Sequence, residues 1–279
     1  MAFRALTPES RYLPAGRVLE WGPPNSFKTT AIVEYWPEEE GVVGSKQFIS
    51  LPGEKGYESI PHRKEIISHV WGVDDVGSVS PHSVLREANQ ILAQVTANKP
   101  TTLAVEGIHK YYDFAYQAAF DDLISGGMDE EKASGPAYGK AHKTTLQFIN
   151  RLSATGVPYI VLTCWEGEEK DDPKDKSRNA TKHRAPMLPG KLATWITGEF
   201  GVSVRSFIKR TPTALVGLWQ ITPDPQAPGC AVKTAKEVAT QLPRTIPQDF
   251  RVLRDLVAGE PLAKVRELYG YAGKQEGTK

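Results

Sequence analysis

The sequence predicts an α/β fold: a mostly parallel central sheet flanked by helices, with a short helical tail at the C-terminus. Two observations carry this. Apolar runs of strand length alternate with stretches whose apolar residues recur at helical spacing, the pattern of parallel strands joined by crossover helices. The run at 158 to 164 is the most apolar in the chain, as expected of a strand buried on both faces. With 279 residues, of which 40% are hydrophobic and 24% charged, the chain can bury a full core, and a mainly disordered or fibrous protein is excluded.

Residues 17 to 21 (Arg-Val-Leu-Glu-Trp) read as a first strand that runs directly into Gly-Pro-Pro-Asn-Ser-Phe-Lys-Thr-Thr. Ala31, Ile32, Tyr35 and Trp36 then fall at helical spacing, so strand, loop and helix follow in order. Residues 47 to 51 form a second strand ending at Pro52-Gly53, and 65 to 71 another apolar segment closed by Gly72. Val84, Leu85, Ala88, Ile91, Leu92 and Val95 predict an amphipathic helix with Pro81 near its start. A short strand at 103 to 105 ends at Glu106-Gly107, and Ala141, Thr145, Phe148, Ile149 and Leu152 mark a helix ending near Gly156. After the strand at 158 to 164, residues 166 to 185 are expected to be a charged loop too polar to hold regular structure alone. A helix at 191 to 196 and strands at 202 to 208 and 214 to 221 follow, the two strands pairing as an antiparallel extension before a Pro- and Gly-rich turn at 223 to 229. Phe250, Leu253, Leu256 and Val257, then Leu262, Val265 and Leu268, predict two tail helices split by Gly259-Glu260-Pro261. The expected organisation is an N-terminal extension (1–16), a main domain (17–245) and a helical tail (246–279), whose last residues, 271 to 279, should fray.

A net charge of +1 means that any affinity for nucleic acid must come from local basic patches. Cys164 and Cys230 stand far apart, without the spacing of a zinc site or a disulfide scaffold, which fits a reducing compartment. The first sixteen residues lack a signal-peptide apolar stretch, and no run approaches the roughly 20 apolar residues of a membrane span. A cytoplasmic protein without membrane partners is expected.

Gly22, Pro23, Pro24, Asn25, Ser26, Phe27, Lys28 and Thr29, with Thr30 next, resemble the phosphate-binding pattern G-x-x-x-x-G-K-[ST]. Loop N–H groups and a helix N-terminus would surround the phosphates of ATP, Lys28 would contact the β and γ groups, and Thr29 would offer its hydroxyl to Mg2+. Phe27 stands where the second glycine belongs, so its side chain must point away if the backbone is to approach phosphate. Glu106, ending a short apolar strand, resembles the acidic group that meets the metal or its water, and its longer side chain leaves room for a bridging water. His109 is expected to be a surface or helix-start residue rather than a ligand.

Together these segments resemble the RecA-like P-loop ATPases of bacteriophages that assist single-strand annealing and recombination. The resemblance spans residues 17 to 221 through the Lys-Thr-Thr loop, Phe-Ile-Ser-Leu-Pro-Gly-Glu at 48 to 54, Glu106, Ile-Val-Leu-Thr-Cys-Trp-Glu at 160 to 166 and Leu-Pro-Gly-Lys-Leu-Ala at 188 to 193. It implies that Glu54 orients the attacking water. It implies that Thr163 and Glu166 sense the γ phosphate, although Trp165 stands where histidine or glutamine is often seen. It also implies that Lys191 reaches a neighbouring subunit's nucleotide in a ring or filament. The activity implied is a DNA-dependent ATPase in phage recombination, annealing or replication, with recombination or replication proteins as partners.

The charged loop is acidic in its first half and basic in its second, where Lys176, Arg178, Lys182 and Arg184 are the candidates for sequence-independent, salt-sensitive contact with single-stranded DNA. Two other functions use the same phosphate loop. A small-molecule or nucleotide kinase would add an acceptor pocket and a lid. A nucleotide-gated DNA-binding or scaffold protein without significant hydrolysis would fit the missing glycine and the unusual Glu106.

Overall fold

The computed structural model describes residues 15–60, 65–71, 79–170 and 182–271. The elements in chain order are β1 (Arg17–Gly22), α1 (Lys28–Tyr35), β2 (Lys46–Ser50), a 3-10 turn (Gly56–Ser59), β3 (Ile66–Val70), α2 (Pro81–Asn98), β4 (Thr102–Glu106), α3 (Ile108–Ser125), α4 (Glu130–Ala154), β5 (Tyr159–Lys170), β6 (Lys182–Pro186), α5 (Gly190–Phe200), β7 (Val202–Arg210), β8 (Leu215–Gln220), β9 (Ala231–Val232), α6 (Lys236–Ala239), β10 (Thr245–Pro247), α7 (Phe250–Val257) and α8 (Leu262–Tyr269).

The sheet runs β10-β8-β7-β1-β5-β4-β2-β3. From β7 to β3 every neighbouring pair is parallel, whereas β7, β8 and β10 pair antiparallel at the other edge, as the alternation of elements predicts for the first part and the closely spaced strands for the second. Successive side chains of a strand face opposite sides, and the core divides accordingly. Leu19, Trp21, Ile49, Leu103, Val105, Ile160 and Leu162 pack under α2 to α5. Val18, Phe48, Ala104 and Val161 pack under α1, α7 and α8. The helical tail is part of this second core: Trp36 at the end of α1 stacks on Phe250 of α7 at 4.1 Å, and Arg251 lies between the rings of Tyr35 and Tyr269.

Lys46 has no exposed surface, yet it is well used. Its Nζ donates to the carbonyls of Ile32 (3.0 Å) and Val33 (2.7 Å) in the last turn of α1 and lies 3.3 Å from Glu38. A buried cation on the last carbonyls complements the negative end of the helix and ties α1 to β2.

Two sequence expectations are corrected. Residues 108 to 125, left without an element, form α3, whose buried face is made of Ile108, Tyr111, Tyr112, Ala115, Ala118 and Ala119. Tyrosine and alanine at helical spacing are a faint apolar signal, although the period is there. The stretch 166 to 185 is not a loop at its ends: β5 continues to Lys170 and pairs antiparallel with β6, from Glu166↔Pro186 to Lys170↔Lys182. Diagonal ion pairs across the two strands, Lys182 with Glu168 and Arg184 with Glu166, satisfy side chains that looked too polar to pack. Residues 171 to 181, and with them Lys176 and Arg178, lie outside the described residues, as do 1–14 and 272–279.

Candidate active site

β1 ends at Gly22, where β7 approaches so closely that a Cβ would strike the Ser206 carbonyl. This glycine is therefore required by strand packing whatever the loop binds. The loop from 23 to 27 turns the chain into α1 with two left-handed residues, Asn25 (φ 60°) and Phe27 (φ 62°). Left-handed backbone costs a non-glycine residue about 1–2 kcal/mol, which is the physical reason glycine is expected at position 27. The Phe27 ring turns toward β8, and a Cβ built on Gly217 would sit 3.3 Å from its Cδ2. Phe27 is 38% exposed and is one of the residues lining the cleft.

Lys28, first residue of α1, folds back over the loop and donates from Nζ to the Gly22 carbonyl (3.2 Å), the Pro23 carbonyl (2.8 Å) and Ser26 Oγ (3.1 Å). Burial lowers its pKa, while Glu20, Cys164, Glu54 and Glu106 oppose that fall. These three bonds use every donor of the ammonium, so a phosphate chain in the cleft would take the place of one or more of these acceptors.

Glu106 ends β4 and is buried, accepting hydrogen bonds from Thr29 Oγ1 on one oxygen and Ser50 Oγ on the other. Burial raises its pKa, and these two hydroxyls with Lys28 pull it back. Ser50 escaped the sequence reading, yet it ends β2 directly opposite Glu106 in the register of the two strands. A methyl on Gly56 would run into both Thr29 Oγ1 and Glu106 Oε1. The Gly56 backbone thus packs directly against this hydroxyl and carboxylate, an approach that any side chain at 56 would block. These hard oxygen donors fit Mg2+, and among the described residues no group of three or more His, Cys, Asp or Glu forms an all-protein metal cage. Such a set suits an ion that keeps waters and shares its remaining positions with phosphate.

Glu54 follows β2 and rests its side chain on the Cα of Gly107, whose φ of 79° and missing Cβ make that approach possible. Burial and the nearby Glu106 raise its pKa to about 6, against the opposing pull of Lys110, Lys28 and Trp165. His109 Nε2 is 3.4 Å from Glu54 Oε1. Burial, Lys110 and Lys28 push this imidazole down to about 3, so the contact is between a neutral ring and a carboxylate, not an ion pair. His109 is buried at the start of α3, which corrects the surface reading and keeps the helix-start one. Its ring lies 5.0 Å from that of Trp165, over which Lys110 Nζ sits at 5.1 Å. Thr163 Oγ1, from β5, accepts from the Gly107 N–H at 3.2 Å.

These residues converge because β5 lies between β1 and β4, bringing the carboxyl ends of β1, β2, β4 and β5 to one edge of the sheet. The cleft there, about 700 Å³, is lined by Asn25 to Thr30, Glu54, Gly56, Glu106, Thr163 and Trp165, a size that suits a nucleotide. Glu20 lies beneath the loop, fully buried, accepting from Ser206 Oγ and from Trp219 Nε1 (2.8 Å). Burial raises its pKa to about 7.

Other expected site residues lie apart from the cleft. Glu166 accepts from Arg205 Nε (2.6 Å) and Arg184 Nη1 (3.1 Å), and Lys182 donates to Glu168 (3.1 Å). Lys182 and Arg184, the described candidates in the basic half, are therefore ion-paired with the acidic half, Arg184 sharing its carboxylate with Arg205. Lys191 is exposed at the start of α5 and is not among the residues lining the cleft. No helix among the described residues is long and apolar enough to cross a membrane.

Comparison with known families matches residues 15–238 to the AAA_24 family, described as an AAA domain. No curated protein matches the chain. Among solved structures, the flagellar accessory protein FlaH from Methanocaldococcus jannaschii is similar over 75% of this chain and 78% of its own, at 10% identity and a TM-score of 0.35.

Proposed function

We propose, from the premise that the chain belongs to the AAA domain family, that it is an Mg2+-dependent ATPase whose output acts on single-stranded DNA. The observation that carries the nucleotide reading is the convergence of Lys28, Thr29, Glu106 and Glu54 on one cleft despite Phe27. Lys28 and the loop N–H groups bind the phosphates, and the start of α1 adds its positive end. Thr29 and Glu106 would hold the metal ion, which when bound supplies positive charge against the β and γ oxygens. Glu54, ionised above about pH 6, orients water for in-line attack. Thr163 sits beside Gly107, so a change at the γ position is felt on β5.

The DNA reading rests on β5 running without a break from Thr163 into the β5–β6 hairpin, and on the resemblance to phage annealing and recombination ATPases. Because Lys182 and Arg184 are already ion-paired, DNA phosphates must compete with Glu168 and Glu166 for them, and binding should be weak and salt-sensitive. Exposed Lys191 would serve a neighbouring copy's site in a ring or filament.

Titration with ATP and Mg2+ tests the core of this reading: Lys28→Ala should abolish binding, and unchanged affinity removes it. Phosphate release measured with and without single-stranded DNA separates the alternatives. Stimulation by DNA supports the proposal, a phosphorylated small-molecule product identifies a kinase, and binding without turnover identifies a nucleotide-gated scaffold.

A further inference from the structure

Phe27 raises a problem that Lys28 and Thr29 do not solve. The loop needs left-handed backbone at position 27, glycine would adopt it freely, and phenylalanine does not. Something outside the loop must hold it. Two residues far along the chain meet it there. Gly217 of β8 gives up its side-chain space: a Cβ would lie 3.3 Å from Phe27 Cδ2 and would collide with Gln248 Oε1. Gln248 is buried, and its Nε2 donates to the Ser26 carbonyl at 2.8 Å, a contact across 222 residues of sequence. Its own backbone N–H donates to the Gly217 carbonyl at 3.2 Å. It is held from both sides, by β10, which pairs with β8 up to Pro247, and by Asp249, which caps α7 by accepting from the Arg251 N–H at 2.9 Å. Ser26 in turn accepts from Lys28 Nζ through its hydroxyl. A line of hydrogen bonds therefore runs from the start of the tail through Ser26 to the phosphate-binding ammonium.

We propose that Gln248 is a positioning residue for the phosphate-binding loop and that, together with Gly217, it compensates for Phe27 in place of glycine. Gln248 is not among the residues lining the cleft; it fixes the Ser26 peptide so that Phe27 keeps the left-handed turn with its ring parked on Gly217. Without the amide the buried Ser26 carbonyl is unsatisfied, a loss of the order that weakens a coupled equilibrium about tenfold. With glycine at 27 the turn holds by itself, and the amide matters less. The inference rests on the nucleotide reading above.

The experiment uses the full chain and measures the affinity of a non-hydrolysable ATP analogue with Mg2+ by calorimetric titration. Gln248→Met is compared in two backgrounds, the unaltered chain and Phe27→Gly, with thermal melts to verify folding. Gln248→Met should weaken binding about tenfold in the unaltered chain and by less than about threefold beside Phe27→Gly. In turnover it should raise KM and leave kcat nearly unchanged. Gln248→Asn, which keeps the amide but shortens its reach, gives the same comparison if Gln248→Met does not melt cooperatively. Parent-like binding by the Gln248 variant, or equal weakening in both backgrounds, overturns the inference while the nucleotide reading stands. Absence of binding by the unaltered chain overturns both.

Discussion

Replacing Glu54 by Gln keeps the size and most of the packing of the side chain against Gly107 and His109 while removing its capacity to take a proton. The structure holds the Glu54 pKa at about 6, chiefly by burial and secondarily by Glu106. Since the ionised form is the useful one, turnover should be full above that value and be lost as the pH falls through it. A group titrating at about 6 is roughly 91% ionised at pH 7 and roughly 9% at pH 5, so kcat of the unaltered chain should fall about tenfold between them. An exposed glutamate would move that acid limb down toward its ordinary value. Glu54→Gln should lower kcat by about 10²–10⁴-fold, the usual contribution of a positioned general base. It should leave nucleotide affinity nearly intact, because Glu54 makes no hydrogen bond to the loop. Phosphate release at saturating ATP and Mg2+ from pH 5 to pH 8, with analogue titration of the variant, checks both parts. A variant that keeps more than about a tenth of parental kcat, or an acid limb near the ordinary glutamate value, refutes the assignment.

Glu20 and Lys46 give two stability predictions. The Glu20 pKa rises from the ordinary 4.5 to about 7 on folding, so folding favours its neutral form. The advantage is complete below 4.5 and lost as pH rises through about 7, a change of about 3 kcal/mol. Denaturant unfolding at pH 4 and pH 8.5 should therefore show Glu20→Gln gaining about 3 kcal/mol relative to the unaltered chain between the two pH values, and a difference that does not vary with pH excludes this account. Lys46→Met removes the ammonium donor from the Ile32 and Val33 carbonyls and leaves Glu38 without its buried cation. It should cost about 3–5 kcal/mol, read as a lowered denaturation midpoint, and a parental midpoint would show that the bonds to Ile32 and Val33 contribute nothing.

Much of this molecule is legible locally. Gly22 to Thr30 lies between a strand and a helix in the sequence itself, and covalent succession alone delivers Lys28 and Thr29 to a helix N-terminus. Glu106 is readable for the same reason, because a strand of a parallel sheet carries its last residue to the edge where ligands bind. The apolar runs of β1, β4 and β5 and the helical period in α2 and α4 reported which residues are buried, since a strand covered by helices on both sides of a sheet buries both its faces and a helix only one. The α3 helix escaped because its buried face is tyrosine and alanine, and the β5–β6 hairpin because its polar side chains satisfy one another only once the two strands are paired.

The sequence by itself therefore determined the class of fold, the order of most of its elements and the lysine, threonine and acid that meet at the cleft, all of which follow from short-range pattern. Only the tertiary structure decided which strands are neighbours. By laying β5 between β1 and β4 it set Thr163 beside Gly107, matched Ser50 to Glu106, leaned Glu54 on His109, and brought Gln248 to Ser26 across 222 residues. Those partners are chosen by register and packing between distant segments, and a buried polar atom's partner is visible only when the chain has closed around it.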